Sequence, residues 1–385
     1  MIIMIIMMMI TMMLTVSSFT LLSETKKNDS FFSTLLRQHG CDVDKAFQAT
    51  FNQSNPRVQS ISAIDILKKD AGGFGAQLVL KLAPPTVSAV LVGARPVLKG
   101  DLAANWNYGC PGHETIQDIM KNAKSRFGND VVTAGKLIRS EEVELSLPLS
   151  CNGNRVRLER LRAAAVTHWF KLTPFMDLLI RQRIEGLDLP PDFMAVHIRG
   201  GDKLVSEWSG PYGALGKPHL WARAISDAVN FERKHFTPAL PDLVFLESDD
   251  CKLLREVATL LSTSSMEAIH QPCQVPKPVL YTQRGKSMNV TGHHQWLFNH
   301  HHSCTDIARY FTGLTIFRDA TAVLLGTGGH HGVPLAPAAR TSNTVLLIEL
   351  LRMGRGKEPP GRDYHFNALR TPTSKVGEVI YPPLP

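Results

Sequence analysis

Phe193-Met194-Ala195-Val196-His197-Ile198-Arg199-Gly200-Gly201-Asp202-Lys203 is the stretch that decides the fold of this chain. Four apolar residues lead into an imidazole, a guanidinium, a carboxylate and an ammonium, with glycines between them. That pattern reads as a buried strand opening into a loop. Loops at the carboxyl ends of strands are where α/β folds place their ligands. Arginine presents a planar fork of N–H donors that matches a diphosphate, so Arg199 is a candidate phosphate ligand. Glu207 lies four residues beyond Lys203 and is a candidate general base.

Working outward, strands alternate with helices. Pro190-Pro191 punctuates the chain just before the strand. Leu220 to Phe231 carries Leu220, Ala224, Ala228 and Phe231 near one helical face. Leu243 to Leu246 is a second apolar strand, and Cys251 to Leu261 the next helix. Ala322 to Leu325 and Val345 to Leu350 are two more strands. This alternation predicts a parallel sheet covered on both faces. Upstream, a glycine loop at Gly73 precedes a helix expected over 77–82 and a strand expected around 87–92. A mixed acidic and apolar stretch over 137–149 reads as extended. The expected architecture is α/β, with two Rossmann-like lobes. They span 23–190 and 191–352, behind a hydrophobic segment at 1–22. Residues 353–385 read as a proline- and glycine-rich tail.

With 385 residues the chain can form two separate cores. Its net charge of +8 suits anionic ligands. It contains no zinc-finger spacing, no aromatic-basic stacking pattern and no sustained basic helix, so nucleic acid is not an expected partner. Residues 1–22 are almost wholly apolar and fit a single membrane span or a signal peptide. Lys26 and Lys27 follow that segment and, by the positive-inside rule, argue for a cytosolic flank. Three sequons, at Asn28, Asn52 and Asn289, argue for the lumen, and the luminal reading is preferred. The six cysteines, Cys41, Cys110, Cys151, Cys251, Cys273 and Cys304, suit an oxidising compartment, with pairing left open. Histidines cluster at His293-His294, His300 to His302 and His330-His331; a polar loop is preferred over a metal site. No metal ion is expected.

The segment from Val196 to Glu207 resembles the nucleotide-sugar motif of the α1,6-fucosyltransferase family, the enzymes that fucosylate the core of N-glycans. His197, Arg199, Asp202, Lys203 and Glu207 match that motif, and Gly200 replaces a second arginine. Gly73-Phe74-Gly75-Ala76-Gln77 resembles the family's early glycine-rich segment. Asn105-Trp106-Asn107-Tyr108 resembles another, whose tyrosine contacts phosphate. Leu243 to Asp250 resembles its strand ending in two aspartates, here Asp249 and Asp250. Near the end, Gly326-Thr327-Gly328-Gly329 stands where the family has phosphate-binding serines. Backbone N–H groups and the Thr327 hydroxyl could still serve there. The family's guanine-holding aspartate falls near Gly313, which puts guanine recognition in doubt. An SH3-like carboxyl-terminal domain has no clear counterpart.

The resemblance implies an inverting fucosyltransferase that moves fucose from GDP-fucose to a glycan, most simply the N-glycan core GlcNAc in α1,6 linkage. Glu207 would be the base, with Lys203 orienting or relaying. Arg199 would offset charge on the β-phosphate. By the resemblance, His197 touches the nucleotide, and Gly73, Phe74, Gly75, Ala76 and Tyr108 form a phosphate cradle. Asp202, Asp249, Asp250, Thr327, Gly328 and Gly329 complete the donor site. The expected setting is the Golgi membrane, single-pass type II, with the catalytic part luminal. Three alternatives remain: a fucosyltransferase with another glycan or a protein acceptor, a catalytically inactive relative that binds glycans or a partner protein, and a membrane-anchored structural protein with no ligand, against which the charged strand-end loops argue.

Overall fold

The computed structural model describes residues 32–52, 61–65, 82–91, 96–99, 108–110, 112, 120, 131–133, 145–146, 155–156, 158–198, 216–248, 250–273, 279–283, 286–290, 302–326, 344–350, 364–370 and 378–380. They fall into two compact units. One gathers residues 32–65, 82–99 and 131–168, and the other 108–120 and everything from 169 onward.

The first unit holds a three-stranded parallel sheet, with Ile61–Asp65 between Pro96–Lys99 and Val131–Thr133. The strand expected around 87–92 is instead part of a helix, Ala83–Leu91. Pro84 and Pro85 fall in its first turn, where backbone N–H groups have no helical partner anyway. Thr86 closes the turn by donating its hydroxyl to the Leu82 carbonyl at 2.6 Å. Val87, Ala89 and Val90 are buried. A short apolar run cannot by itself distinguish a buried helix from a buried strand. The helix expected over 77–82 lies outside the described residues except at its last position, Leu82.

The second unit carries the sheet that positions the site. Its strands, in chain order, are β1 (Met194–Ile198), β2 (Leu243–Ser248), β3 (Glu267–His270), β4 (Ala322–Gly326), β5 (Thr344–Leu350), β6 (Tyr364–Arg370) and β7 (Glu378–Ile380). Their spatial order is β7-β6-β5-β4-β1-β2-β3. The strands from β3 across to β5 are mutually parallel, and β6 and β7 are added antiparallel. The chain builds outward from β1 to β3, then returns to place β4 on the other side of β1. The α/β character read from the alternation is what the structure has. The stretch read as a tail supplies the two antiparallel strands: Tyr364 and Phe366 are buried, and Tyr364 donates a hydrogen bond to Asp227.

Helix α1 (Pro174–Glu185) precedes the sheet, and α2 (Pro218–His235), α3 (Cys251–Thr263) and α4 (Cys304–Asp319) connect its strands. Trp221, Ala224 and Ala228 of α2, with Leu254 and Val257 of α3, pack on Met194, Val196, Val244 and Leu246. On the opposite face, Ile316 and Phe317 of α4 pack on Ala195, Phe245, Val323 and Val345. The Phe245 and Phe317 rings meet edge-on with centroids 6.3 Å apart. Such a pair adds about 0.5–1.5 kcal/mol beyond the area it buries. Among the described residues, no helix is long and apolar enough to cross a membrane. Residues 1–22 lie outside them.

Candidate functional site at the reversal of strand order

In an open parallel sheet the strand order reverses where two neighbouring connections leave in opposite directions. The crevice beyond the carboxyl ends at that point is the usual ligand site. Here the reversal lies between β1 and β4. Arg199 follows directly on the last residue of β1, and Thr327 on the last residue of β4. Both loops singled out from the sequence therefore start at the two strands that flank the reversal.

Three residues in register line the carboxyl edge. His197 pairs with Leu325 on one side and with Glu247 on the other. The His197 ring stands edge-on to Phe317, centroids 6.2 Å apart, so its face is fixed by α4. Glu247 is the penultimate residue of β2, a strand otherwise apolar up to that point. The residue as a whole is half-buried, but its carboxylate is enclosed. Oε2 is buried and has no hydrogen-bond partner among the described residues. Ionisation of the group is governed by the surroundings of its charged atoms. Burial pushes Glu247 up to about 8, and the attraction of Arg309 only partly opposes this.

Helix α4 explains how the carboxylate fits. A Cβ added at Gly313 would fall inside the Glu247 carboxylate. A mid-helix glycine costs about 1 kcal/mol relative to alanine, so a close approach gives it a reason. One turn earlier on the same stripe, the Arg309 carbonyl accepts from Gln271 Nε2 at 2.9 Å. Gln271 stands one residue past the last β2–β3 pair, Leu246 with His270, and is 4% exposed. Its Oε1 is also buried without a partner among the described residues.

Asp250 caps α3, accepting from the N–H groups of Lys252 and Leu253 at 3.0 and 3.1 Å. Ser248 Oγ accepts from the Asp250 N–H at 2.9 Å, which fixes the turn out of β2. Tyr108 lies on a two-residue strand paired with His302–Ser303, and the adjacent Cys110 is bridged to Cys304 at the start of α4. Gly313 is nine residues along α4 from Cys304. At 1.5 Å per residue the start of α4 therefore lies about 13 Å along the helix from Gly313, and Tyr108 is tied to that end.

The structure thus brings His197, Asp250 and Tyr108 to the carboxyl side of one sheet. Gly73, Phe74, Gly75, Ala76, Arg199, Asp202, Lys203, Glu207, Asp249, Thr327, Gly328 and Gly329 lie outside the described residues. Sequence reasoning did not single out Glu247, Gln271 or Arg309. The available signals were a carboxylate inside an apolar strand and a glycine inside a helix. Among the described residues no three His, Cys, Asp or Glu side chains converge as a metal site.

No protein-family model matches the chain, and no curated protein does. Among solved structures it is similar to the fucosyltransferase NodZ from Bradyrhizobium, at 13% identity and a TM-score of 0.41, over 75% of this chain and 96% of that one. A NodZ α-1,6-fucosyltransferase soaked with GDP-fucose gives 12% and 0.43, over 82% and 100%. POFUT1 in complex with GDP-fucose gives 11% and 0.26, over 47% and 44%. The reading of the site rests on its own residues.

Proposed function

We propose that this chain is a GDP-fucose-dependent fucosyltransferase with an inverting mechanism and a GT-B-like arrangement. The observation that carries the proposal is the position of β1, from whose end the sequence runs on as Arg199 to Glu207. This strand borders the reversal of strand order, and the basic residues follow directly on its end. In this reading Arg199 bridges the diphosphate and stabilises charge as the sugar leaves. Glu207 takes the proton of the acceptor hydroxyl, with Lys203 beside it. His197, held against Phe317, touches the nucleotide. The backbone of Gly73 to Ala76, Tyr108, and the Thr327 to Gly329 segment supply donors to phosphate, while Asp202, Asp249 and Asp250 complete the crevice wall.

The acceptor in this reading is a glycan, most simply the N-glycan core GlcNAc, and another glycan or a protein hydroxyl is the neighbouring alternative. The positive field comes from side chains, so transfer needs no divalent ion. The setting is the Golgi lumen behind a membrane anchor at residues 1–22. The Cys110–Cys304 and Cys251–Cys273 bridges are consistent with an oxidising compartment.

The test is a donor screen with GDP-fucose, GDP-mannose, UDP-GlcNAc and UDP-galactose against a biantennary N-glycan, with and without EDTA. Fucose transfer that survives chelation is expected. Binding of GDP without transfer to any acceptor would favour the inactive glycan-binding relative, to which Gly200, Gly328 and Gly329 point. No binding of any nucleotide would end the proposal. Localisation is checked by endoglycosidase mobility shifts at Asn28, Asn52 and Asn289. An unglycosylated protein open to cytosolic protease would overturn the luminal setting.

A further inference from the structure

Gln271 is 4% exposed, and its amide is only half engaged. Nε2 donates to the Arg309 carbonyl on α4 at 2.9 Å, while Oε1 is buried with no hydrogen-bond partner among the described residues. The arrangement does little for stability. The Arg309 carbonyl already receives the N–H four residues on in its own helix. An orphaned buried acceptor costs at least what one neutral hydrogen bond returns. An apolar side chain of the same length would hold the fold equally well, so the amide has another reason to be there.

That reason lies in what its bond joins. Along β3, Ala268 packs with the α2–α3 cluster and Ile269 with the α4 cluster. Gln271 continues the side of Ile269 and reaches α4. Cys273 lies in the α2–α3 cluster, so the chain crosses the end of β3 between the two. There Cys273 is bridged to Cys251, the first residue of α3, and its carbonyl accepts from Arg255 Nη2 at 2.7 Å. Residues 271–273 are thus a strap between the helices on the two faces of the sheet. Helix α4 in turn bears on two residues of the donor reading. Phe317 stands against the His197 ring, and the start of α4 is bridged through Cys304 to Cys110, beside the Tyr108 pairing.

We propose that Gln271 is a positioning residue for the donor site: its bond to α4 locks that helix to the strap, and so sets where His197 and Tyr108 meet the nucleotide. This rests on the donor reading given above and adds the residue that holds its frame. Apolar contacts are non-directional, and packed helices shift by about 1–2 Å in many transitions. A hydrogen bond does not survive such a shift, so one bond from a covalently bridged strap removes that freedom. Without it, donor affinity falls by the fraction of molecules still in register. One neutral hydrogen bond is worth roughly 3–10-fold in such an equilibrium.

The experiment compares the whole chain with Gln271→Met, an apolar side chain of similar length. The readouts are calorimetric titration with GDP, KM and kcat for GDP-fucose, and thermal unfolding. Gln271→Met should bind GDP roughly 3–10-fold more weakly and raise KM by the same factor. Its kcat should be unchanged, because bound donor selects the aligned state. Its melting temperature should equal or exceed that of the wild type. Unchanged GDP affinity overturns the inference. So does a melting temperature that falls together with the affinity, since Gln271 would then be an ordinary structural residue. A second variant, Cys251→Ser with Cys273→Ser, frees the strap from α3. Added to Gln271→Met, it should weaken GDP binding no further than the worse of the two alone, because both open one connection. Additive losses overturn the strap as the route. If the serine variant does not fold, Arg255→Met, which loosens the same segment, takes its place. A wild type that binds no nucleoside diphosphate defeats the donor reading itself, a different result from a wild type and Gln271→Met that bind GDP equally.

Discussion

On one face of the seven-stranded sheet, β2 presents Val244 and Leu246 to α2 and α3; on the other it presents Phe245 and then Glu247 to α4. The first face is carbon at Val244 and Leu246, where two connecting helices close it, and ends in Ser248, whose hydroxyl accepts the Asp250 N–H. The second follows the same apolar rule for most of its length and breaks it at the carboxyl edge. There the Glu247 carboxylate lies against Gly313, Gln271 bonds the Arg309 carbonyl, and His197, paired with Glu247, sets its ring against Phe317. The difference shows how a parallel sheet separates its tasks. Stability is stored where apolar side chains of strand and helix bury one another. At the carboxyl edge of the other face the buried Glu247 Oε2 and Gln271 Oε1 are held by that packing with no hydrogen-bond partner among the described residues.

The separation can be broken from either side. The largest effect is expected at Glu207→Gln, which should reduce fucose transfer by about 10²–10⁴-fold, the range for losing a general base. GDP affinity should stay within a few-fold, and the two must be measured on one preparation. A parallel loss of binding and turnover in a folded protein would move Glu207 into the donor site.

Next in size, Leu246→Ala on the closed face removes a side chain that is 1% exposed. It should cost about 2–5 kcal/mol in urea unfolding. Under conditions where the variant remains folded, GDP affinity should be unchanged. A specific loss of GDP binding would show that the two faces are not separable.

Glu247→Gln should alter how stability depends on pH. Unfolded, the Glu247 carboxyl titrates near 4.5; folded, near 8. Between those values the folded state keeps a proton that the unfolded state has released, so wild-type stability falls as pH rises. Below the lower value and above the upper one the slope from this group vanishes. The glutamine variant has no such slope. Its melting temperature relative to wild type should therefore climb from pH 5 to pH 8 and then level off. A constant difference across that window would mean that the carboxylate is ionised in its pocket.

The smallest effect sharpens the boundary between the regions. Asp250→Ala removes the cap of α3 and should cost about 1 kcal/mol of stability. If Asp250 also serves the donor, GDP affinity falls beyond what a loosened helix end explains. Asp250→Asn, which preserves the cap acceptor, separates the two roles.

Strands β1, β2, β4 and β5 were legible because each is a short apolar run, whereas β3, Glu267-Ala268-Ile269-His270, has no such run and was not read as a strand. The position of the charged loop after β1 was legible for the same reason. The helix Ala83–Leu91 was not. Its apolar run is too short to show a period, and Pro84-Pro85 looks like a break until it is placed in a first turn. The strand Tyr364–Arg370 was hidden by its proline- and glycine-rich surroundings. Its burial depends on a partner strand and on Asp227, which is 137 residues away. Glu247 was missed because its meaning lies in Gly313: a missing side chain on α4 and a carboxylate on β2 are one feature in space and two unremarkable residues in sequence.

The two disulfides of the second unit differ in one respect that bears on how the protein is made. Cys251 and Cys273 are 22 residues apart, whereas Cys110 and Cys304 are 194 apart. At a synthesis rate of about 5–20 residues per second, the nearer partner emerges within about 1–4 s and the distant one only after about 10–40 s. Cys151, Cys251 and Cys273 all leave the ribosome in that longer interval, each a competing thiol for Cys110. Mass mapping of the bridges after expression with and without a disulfide isomerase should find Cys251–Cys273 in both cases and Cys110–Cys304 depleted without it. The position of Tyr108 at the start of α4 is thus inherited from the cell's capacity to shuffle thiols during translation.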